Sequence, residues 1–383
     1  MSPKLAACIL ALALFLVTFA VNLQAPLYDL YVGDGAMGAT AVTLGFAAYV
    51  AGLMPTLVGL GGLSDRVGRR WPIALALMLG ATATLLMIVA PGWPALIAAR
   101  VILGVGTALA TTSGAAYMAE ILGADRNRLA AQVVTAATSL GFGGGALATG
   151  LSLALQGQTM MPASYLALVV TAPVLALLAL VLPRVDQPRR VSPLRLPVFP
   201  RGGAVYGLAL ALAWSTTGMT IAVVPLELAA DGLRDWSGLV IFLAIFVGFL
   251  CQPVARRMTN GRAVTLGFAL VPAGYLILLL GVQSDRLALV LVGTGVSSAA
   301  SYGFTYLAAL SEVGRRAPED RARATAGLFV YAYAGFSVPV IGSGVLADWF
   351  GLGFALAAFG AALLVGTALT LVVWASSDTR VHG

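Results

Sequence analysis

Apolar runs of about 20 residues recur along almost the whole chain, and no other feature limits its fold so severely. A run of that length spans the roughly 30 Å hydrocarbon core of a bilayer when it is wound as an α-helix. Twelve such runs can be drawn, over residues 5–31, 41–60, 71–90, 93–121, 129–155, 163–182, 204–228, 237–255, 263–281, 286–311, 324–347 and 351–374. Composition agrees, because 60% of the 383 residues are hydrophobic and 10% are charged, whereas an ordinary globular domain carries about 25% charge. A water-soluble fold of this size would lack the polar surface to cover itself. The chain is expected to be an all-α polytopic membrane protein.

A net charge of +7 would suggest nucleic acid in a soluble chain, but nearly every cation here lies in a short loop between apolar runs. With the N-terminus inside, alternate segments place nineteen of the 22 basic residues on one side. Arg234 and Arg286 fall on the other, and Arg100 lies within a crossing. The positive-inside rule then puts both termini in the cytoplasm, and no nucleic-acid partner is expected. Cys8 and Cys251 both lie inside apolar runs, and the single histidine, His382, is in the C-terminal tail. No disulfide framework, metal site or cofactor is expected. The first apolar run exceeds a signal-peptide core and lacks a convincing cleavage site.

The longest hydrophilic connection, "RVDQPRRVSPLRLPVFPRGG", divides six crossings from six. Three units follow: a six-helix bundle over 1–183, a cytoplasmic linker over 184–203, and a second bundle over 204–383. Faint internal similarity supports a duplication. "DRNR" at Asp125 matches "DRAR" at Asp320 with an offset of 195, and "GF" at Gly141 matches "GF" at Gly335 with 194. A parallel six-plus-six repeat places a transport site between the halves, near mid-membrane.

The stretch "GGLSDRVGRR", Gly61 to Arg70, joins the second crossing to the third. Glycines at Gly61, Gly62 and Gly68 permit a tight reversal, and Asp65 is placed to cap a helix N-terminus. The stretch resembles the signature loop of the major facilitator superfamily: glycine, any residue, leucine, a small residue, aspartate, arginine, any residue, glycine, arginine, then arginine or lysine. Gly61, Leu63, Ser64, Asp65, Arg66, Gly68, Arg69 and Arg70 stand at the matching places. Through the twelve crossings and the half-way loop the resemblance covers the whole chain, and it is nearest in character to the drug and metabolite exporters. It implies twelve transmembrane helices in two six-helix pseudo-repeats, and a loop that latches the halves in the outward-facing state. Glu120 is then the expected acceptor for Arg66 or Arg69. The plainer reading of these arginines is that they enforce topology alone. The equivalent second-half stretch, "VARRMTNGRA", lacks the aspartate, so the latch is expected to be asymmetric.

Arg100 lies about 10 Å along the fourth crossing from Trp93, inside the hydrocarbon layer. A buried cation there needs a carboxylate, an anionic substrate, water or carbonyls. The expectation is a cavity-facing arginine paired with a carboxylate or an anionic substrate, with snorkelling as the alternative. Its helix neighbours Gly104, Thr107 and Thr111 would share its face. The same spacing gives Thr18, Asn22, Ala25 and Asp29 in the first crossing, and Thr216, Thr220 and Glu227 near Trp214 in the seventh. In the tenth it gives Thr294, Ser298, Ser301 and Thr305 alongside Tyr302. The resemblance implies that these four crossings line the path. Each hydroxyl also has the reading of back-bonding within its own helix.

Asp29 and Glu227 follow helix prolines, Pro26 and Pro225, and either exchange protons or sit at the interface. Exporters of the resembled family often place an acid deeper in the first helix, where this chain has Asn22. The fifth crossing carries "LGFGGGALATG", similar to the exporters' glycine-rich signature but with Phe142 in place of its proline. Gly141 and Gly145 there permit close helix contact.

The resulting expectation is a secondary active transporter working as a monomer in a bacterial inner membrane. It moves a small organic solute, most simply outward, with protons as the candidate coupling ion. Uptake of an anionic nutrient bound by Arg100, with aromatics such as Tyr331 and Tyr333 in the pocket, is the alternative. From other classes, a non-transporting receptor or scaffold stays open. An intramembrane enzyme does not fit, because no crossing holds a histidine and Lys4 is the only lysine.

Overall fold

The computed structural model describes residues 1–32, 38–184 and 192–376. Arg189, Arg190, Arg380 and His382, which entered the charge and metal readings above, lie outside the described residues. Among the described residues are twelve helices long and apolar enough to cross a membrane. In chain order these are α1 (Pro3–Val32), α2 (Gly38–Gly59), α3 (Arg70–Val89), α4 (Trp93–Leu122), α5 (Asn127–Gln156) and α6 (Ala163–Val181). They continue as α7 (Ala204–Ala230), α8 (Arg234–Ala255), α9 (Asn260–Gln283), α10 (Leu287–Arg316), α11 (Arg321–Phe350) and α12 (Leu352–Ser376). Helix is the form that satisfies every backbone N–H and C=O within one segment, which hydrocarbon demands.

Local chemistry sets the ends. Ser2 caps α1 by accepting from the Leu5 N–H at 3.4 Å, with Pro3 opening the helix, and Thr259 caps α9 from the Arg262 N–H at 3.3 Å. Two crossings are broken by proline. In α1 regular helix stops at Asn22, a 3₁₀ turn covers Ala25–Leu27 around Pro26, and helix resumes at Tyr28. In α7 it stops at Ala222 and resumes at Val224, ahead of Pro225. Each proline lacks an N–H and presses its ring on the carbonyl four residues back, which ends the regular ladder there.

The chain divides into two compact units, one built mainly from residues up to Leu196 and the other mainly from Pro197 onward. In the first, α1 packs most extensively against α5 and also meets α3, α4 and α6. In the second, α7 packs most extensively against α11 and also meets α8, α9, α10 and α12. The two dominant pairs, first with fifth and seventh with eleventh, correspond under a six-helix repeat. The core of the first unit is apolar, with Leu10, Leu14, Ile73, Leu77, Tyr117 and Met118 buried together.

One boundary differs from the linear division: the opening turns of α2, residues 38–44, group with the second unit. There Asp348 of α11 accepts from the N–H groups of Ala39 and Thr40 at 2.6 and 3.0 Å, capping the α2 N-terminus from a distant part of the sequence.

Candidate functional site

Three groups of residues carry the chemistry, two in the first unit and one in the second. The first is the arginine-rich loop between α2 and α3. A one-turn helix, Leu63–Val67, is closed by Gly68, whose φ of +88° suits a residue without a Cβ and whose N–H reaches the Ser64 carbonyl. That reversal brings Arg69 back over the turn. Its guanidinium donates to Asp65 at 2.5 Å, to Ser64 Oγ at 2.7 Å and to Glu120, at the end of α4, at 2.9 and 3.1 Å. Burial alone would lower the Arg69 pKa, but Glu120 and Asp65 outweigh it and hold the group above its ordinary value.

The sequence left Arg66 and Arg69 as equal donors to Glu120; the structure gives the contact to Arg69, and Arg66 is exposed with no ion pair among the described residues. Asp65 caps no helix end, contrary to expectation. Its second oxygen accepts from Arg195 of the linker at 2.5 Å, and two guanidiniums outcompete neutral backbone N–H donors for a carboxylate. Arg70 turns the other way and donates to the Leu180 carbonyl of α6.

The linker lies on this loop. The Arg195 N–H donates to the Val58 carbonyl and the Gly62 N–H to the Pro193 carbonyl, at 2.8 and 2.9 Å. A Cβ on Gly62 would collide with the Ser192 carbonyl, and one on Gly61 would lie 2.5 Å from the Leu57 carbonyl and 3.5 Å from Arg195. Gly61 of the signature and Gly62, at its unrestricted second place, therefore provide the seat for the chain that leaves the first unit, a role the sequence did not disclose.

Arg100 is the second group. It is 1% exposed, and its guanidinium donates to the carbonyls of Val21 in α1 and Phe46 in α2 at 2.5 and 3.2 Å. The rings of Tyr28, Phe46 and Tyr49 surround it, with centroids 5.9, 5.6 and 4.8 Å from Cζ. No carboxylate among the described residues pairs with it. In place of the expected carboxylate, two carbonyls and three ring faces surround the cation, and its Nε is buried without a partner among the described residues. The carbonyl of Val21 is available because the α1 ladder is interrupted just beyond it.

Its expected stripe is mostly packing. Gly104 faces α2, where a Cβ would strike the Tyr49 carbonyl, and Thr107 and Thr111 bond back to the carbonyls of Leu103 and Thr107 in their own helix. In α1 Thr18 bonds back to Leu14, and Asn22 donates across to the Phe142 carbonyl of α5 at 2.9 Å. Gly141 and Gly145 press on α1, a Cβ on either striking the carbonyl of Phe15 or Phe19. Asp29 is half-buried beyond the break in α1. Sequence reasoning passed over Gln24, fully buried at that break, whose amide oxygen and nitrogen both lack a partner among the described residues.

The third group centres on Trp214 in α7. Five rings surround its indole: Tyr302 and Tyr306 from α10, and Phe329, Tyr333 and Phe336 from α11, at centroid distances of 5.3–6.2 Å. Trp214 is 6% exposed and its indole N–H has no partner among the described residues. The α10 segment that supplies Tyr302 is a π-helical insertion, Ala299–Thr305, a form that recurs at functional sites. Ser301 fastens it to α7 by donating to the Ala213 carbonyl at 2.8 Å, and Ser298 Oγ accepts from the Gly248 N–H of α8. Thr305 Oγ1 is buried without a partner among the described residues, whereas Thr220 bonds back to Thr216. Glu227 sits half-buried in the short stretch after Pro225.

The second unit repeats the charged loop in reduced form. Glu312 stands at the end of α10 as Glu120 does at the end of α4, and Asn260 donates to it at 3.2 Å where Arg69 serves the first unit. The cations on Glu312, Arg315 and Arg316, come from its own helix.

The sequence profile described as Major Facilitator Superfamily matches residues 10–340. The chain belongs to the Major Facilitator Superfamily. No curated protein matches it by sequence. Among solved structures, a mutant of the nucleoside transporter NupG is similar at a TM-score of 0.74 and 15% identity, over 97% of this chain and 99% of that one. A bacterial homolog of the human lysosomal transporter Spinster, inward-facing and occupied, is similar at 0.76 and 13%, over 98% and 97%. Identities this low speak for the fold. As a superfamily member the chain is a multi-pass membrane carrier for small solutes, and not an enzyme.

Proposed function

We propose that this transporter exports a small, flat organic solute through a bacterial inner membrane, as a monomer with both termini in the cytoplasm. Protons drive it, and Asp29 and Glu227 are the carboxylates that exchange them. The observation that carries this reading is the Trp214 cluster. A donor buried without a partner costs about 1–3 kcal/mol, which an acceptor on a bound solute offsets. Rings packed around it, those of Tyr302, Tyr306 and Phe329 tilted 34–35° from its plane, suit a planar molecule. The outward direction rests on the glycine-rich α5, whose resemblance is to exporters. Arg69, Asp65, Glu120 and the linker's Arg195 are the latch that changes partners as access alternates. Uptake of an anion by Arg100 has weaker support, since its guanidinium is enclosed and two of its three nitrogens already donate to carbonyls.

Flux through proteoliposomes tests the proposal. A panel of flat heterocycles, nucleosides among them, is followed with and without an imposed pH gradient. Pumping of at least one solute that collapses with the gradient is expected, and Trp214→Ala should weaken its binding about tenfold. Binding without flux would identify a receptor, and flux indifferent to Trp214→Ala would remove the aromatic cluster from the path.

A further inference from the structure

At the arginine-rich end of the first unit, α3 and α6 enclose a cavity of about 290 Å³ that the transport reading does not use. Its walls include Arg69, Arg70, Trp71, Leu180 and Arg184. No carboxylate among the described residues lines it, and Arg69 is already neutralised by Glu120 and Asp65. Arg70 bonds only the Leu180 carbonyl, and its Nε is buried without a partner among the described residues. Arg184 is exposed and makes no ion pair among the described residues. Arg70 and Arg184 thus converge on a hollow where no carboxylate among the described residues receives them.

The surface below this hollow is apolar. Trp71 is 61% exposed at its rim, the position where an indole settles at a membrane interface. Leu75 and Met78 continue its face along α3, and Leu177 and Val181 stand exposed on the neighbouring α6. A basic pocket above a two-helix apolar track matches a molecule with an anionic head and hydrocarbon tails. A free phosphate would use the arginines and leave the track unexplained.

We propose that this cavity binds the phosphate of an anionic phospholipid, with Arg70 and Arg184 on the headgroup and the acyl chains along α3 and α6. Because Arg69 belongs to the charged network and Arg70 follows it directly, an occupied site braces the start of α3 against the end of α6. Basic pockets between transmembrane helices are suited to such headgroups, and each arginine contributes a similar increment of affinity.

Native mass spectrometry of the purified full-length protein tests this, with phosphatidylglycerol and phosphatidylcholine of equal chain length as probes. Wild type should retain phosphatidylglycerol in preference. Arg184→Gln, at an exposed position with no bond to lose among the described residues, should weaken retention about fivefold, and Arg70→Gln with Arg184→Gln about thirtyfold. Arg66→Gln, exposed nearby but outside the cavity, should change nothing. Equal retention by wild type and Arg184→Gln, or an equal loss in Arg66→Gln, would overturn the site. Inorganic phosphate at the same ionic strength should not displace the lipid; displacement would reassign the pocket to a soluble anion and overturn the lipid.

Discussion

Arg100 reads differently in space than along the chain, and the difference is measurable. As a solute ligand it could be removed with little effect on the empty protein. As a clamp it holds α4 to α1 and α2 through the Val21 and Phe46 carbonyls, within three aromatic rings. Each charged hydrogen bond contributes about 1.5–3 kcal/mol, and each ring contact about 0.5–2 kcal/mol. Desolvating the guanidinium takes back several kcal/mol, so Arg100→Ala should cost roughly 2–4 kcal/mol net. For a unit of this size that lowers the unfolding midpoint by roughly 5–12 °C. Arg100→Lys should recover less than half of the loss, because an ammonium lacks the planar fork that reaches two carbonyls on different helices. The assay is thermal unfolding of the purified, solute-free protein. An unchanged midpoint for Arg100→Ala, with transport lost, would refute the clamp and return Arg100 to the solute site.

Gly62→Ala forces the linker off its seat at a cost of about 1–3 kcal/mol, so limited proteolysis should cut the linker faster than in wild type. Gln24→Leu removes two unpartnered buried atoms and should stabilise the protein by about 1 kcal/mol while slowing transport; unimpaired flux would make Gln24 a packing residue. The two charged loops should differ: Glu120→Gln weakens a half-buried contact in which two guanidinium N–H groups donate to one carboxylate oxygen and should cut flux several-fold, whereas Asn260→Ala removes one neutral donor and should change it by less than about twofold. Asp348→Ala uncaps α2 and should lower stability by about 1 kcal/mol, read as a lower unfolding midpoint.

Twelve crossings and the all-helical class were legible in the sequence, because hydrocarbon admits few backbone solutions and long apolar runs announce them. The signature loop was legible as well, since its glycines and charges are contiguous and its spacing is local. The residues that give those parts their work were harder to see. Arg195 lies 130 positions from Asp65, and nothing in its own neighbourhood marks it as the second cation on that carboxylate. Phe329 and Phe336 look like ordinary membrane-facing residues until α11 carries them onto Trp214. The polar stripes left two readings open for a related reason: a helical wheel gives the face a hydroxyl shares, but not whether it bonds its own helix, as Thr107 and Thr220 do. Arg100 could be recognised as a buried cation from position alone. That it would meet two carbonyls and three rings, and no carboxylate among the described residues, depended on a proline break in one helix and aromatics on two, which only tertiary packing brings within reach of one guanidinium.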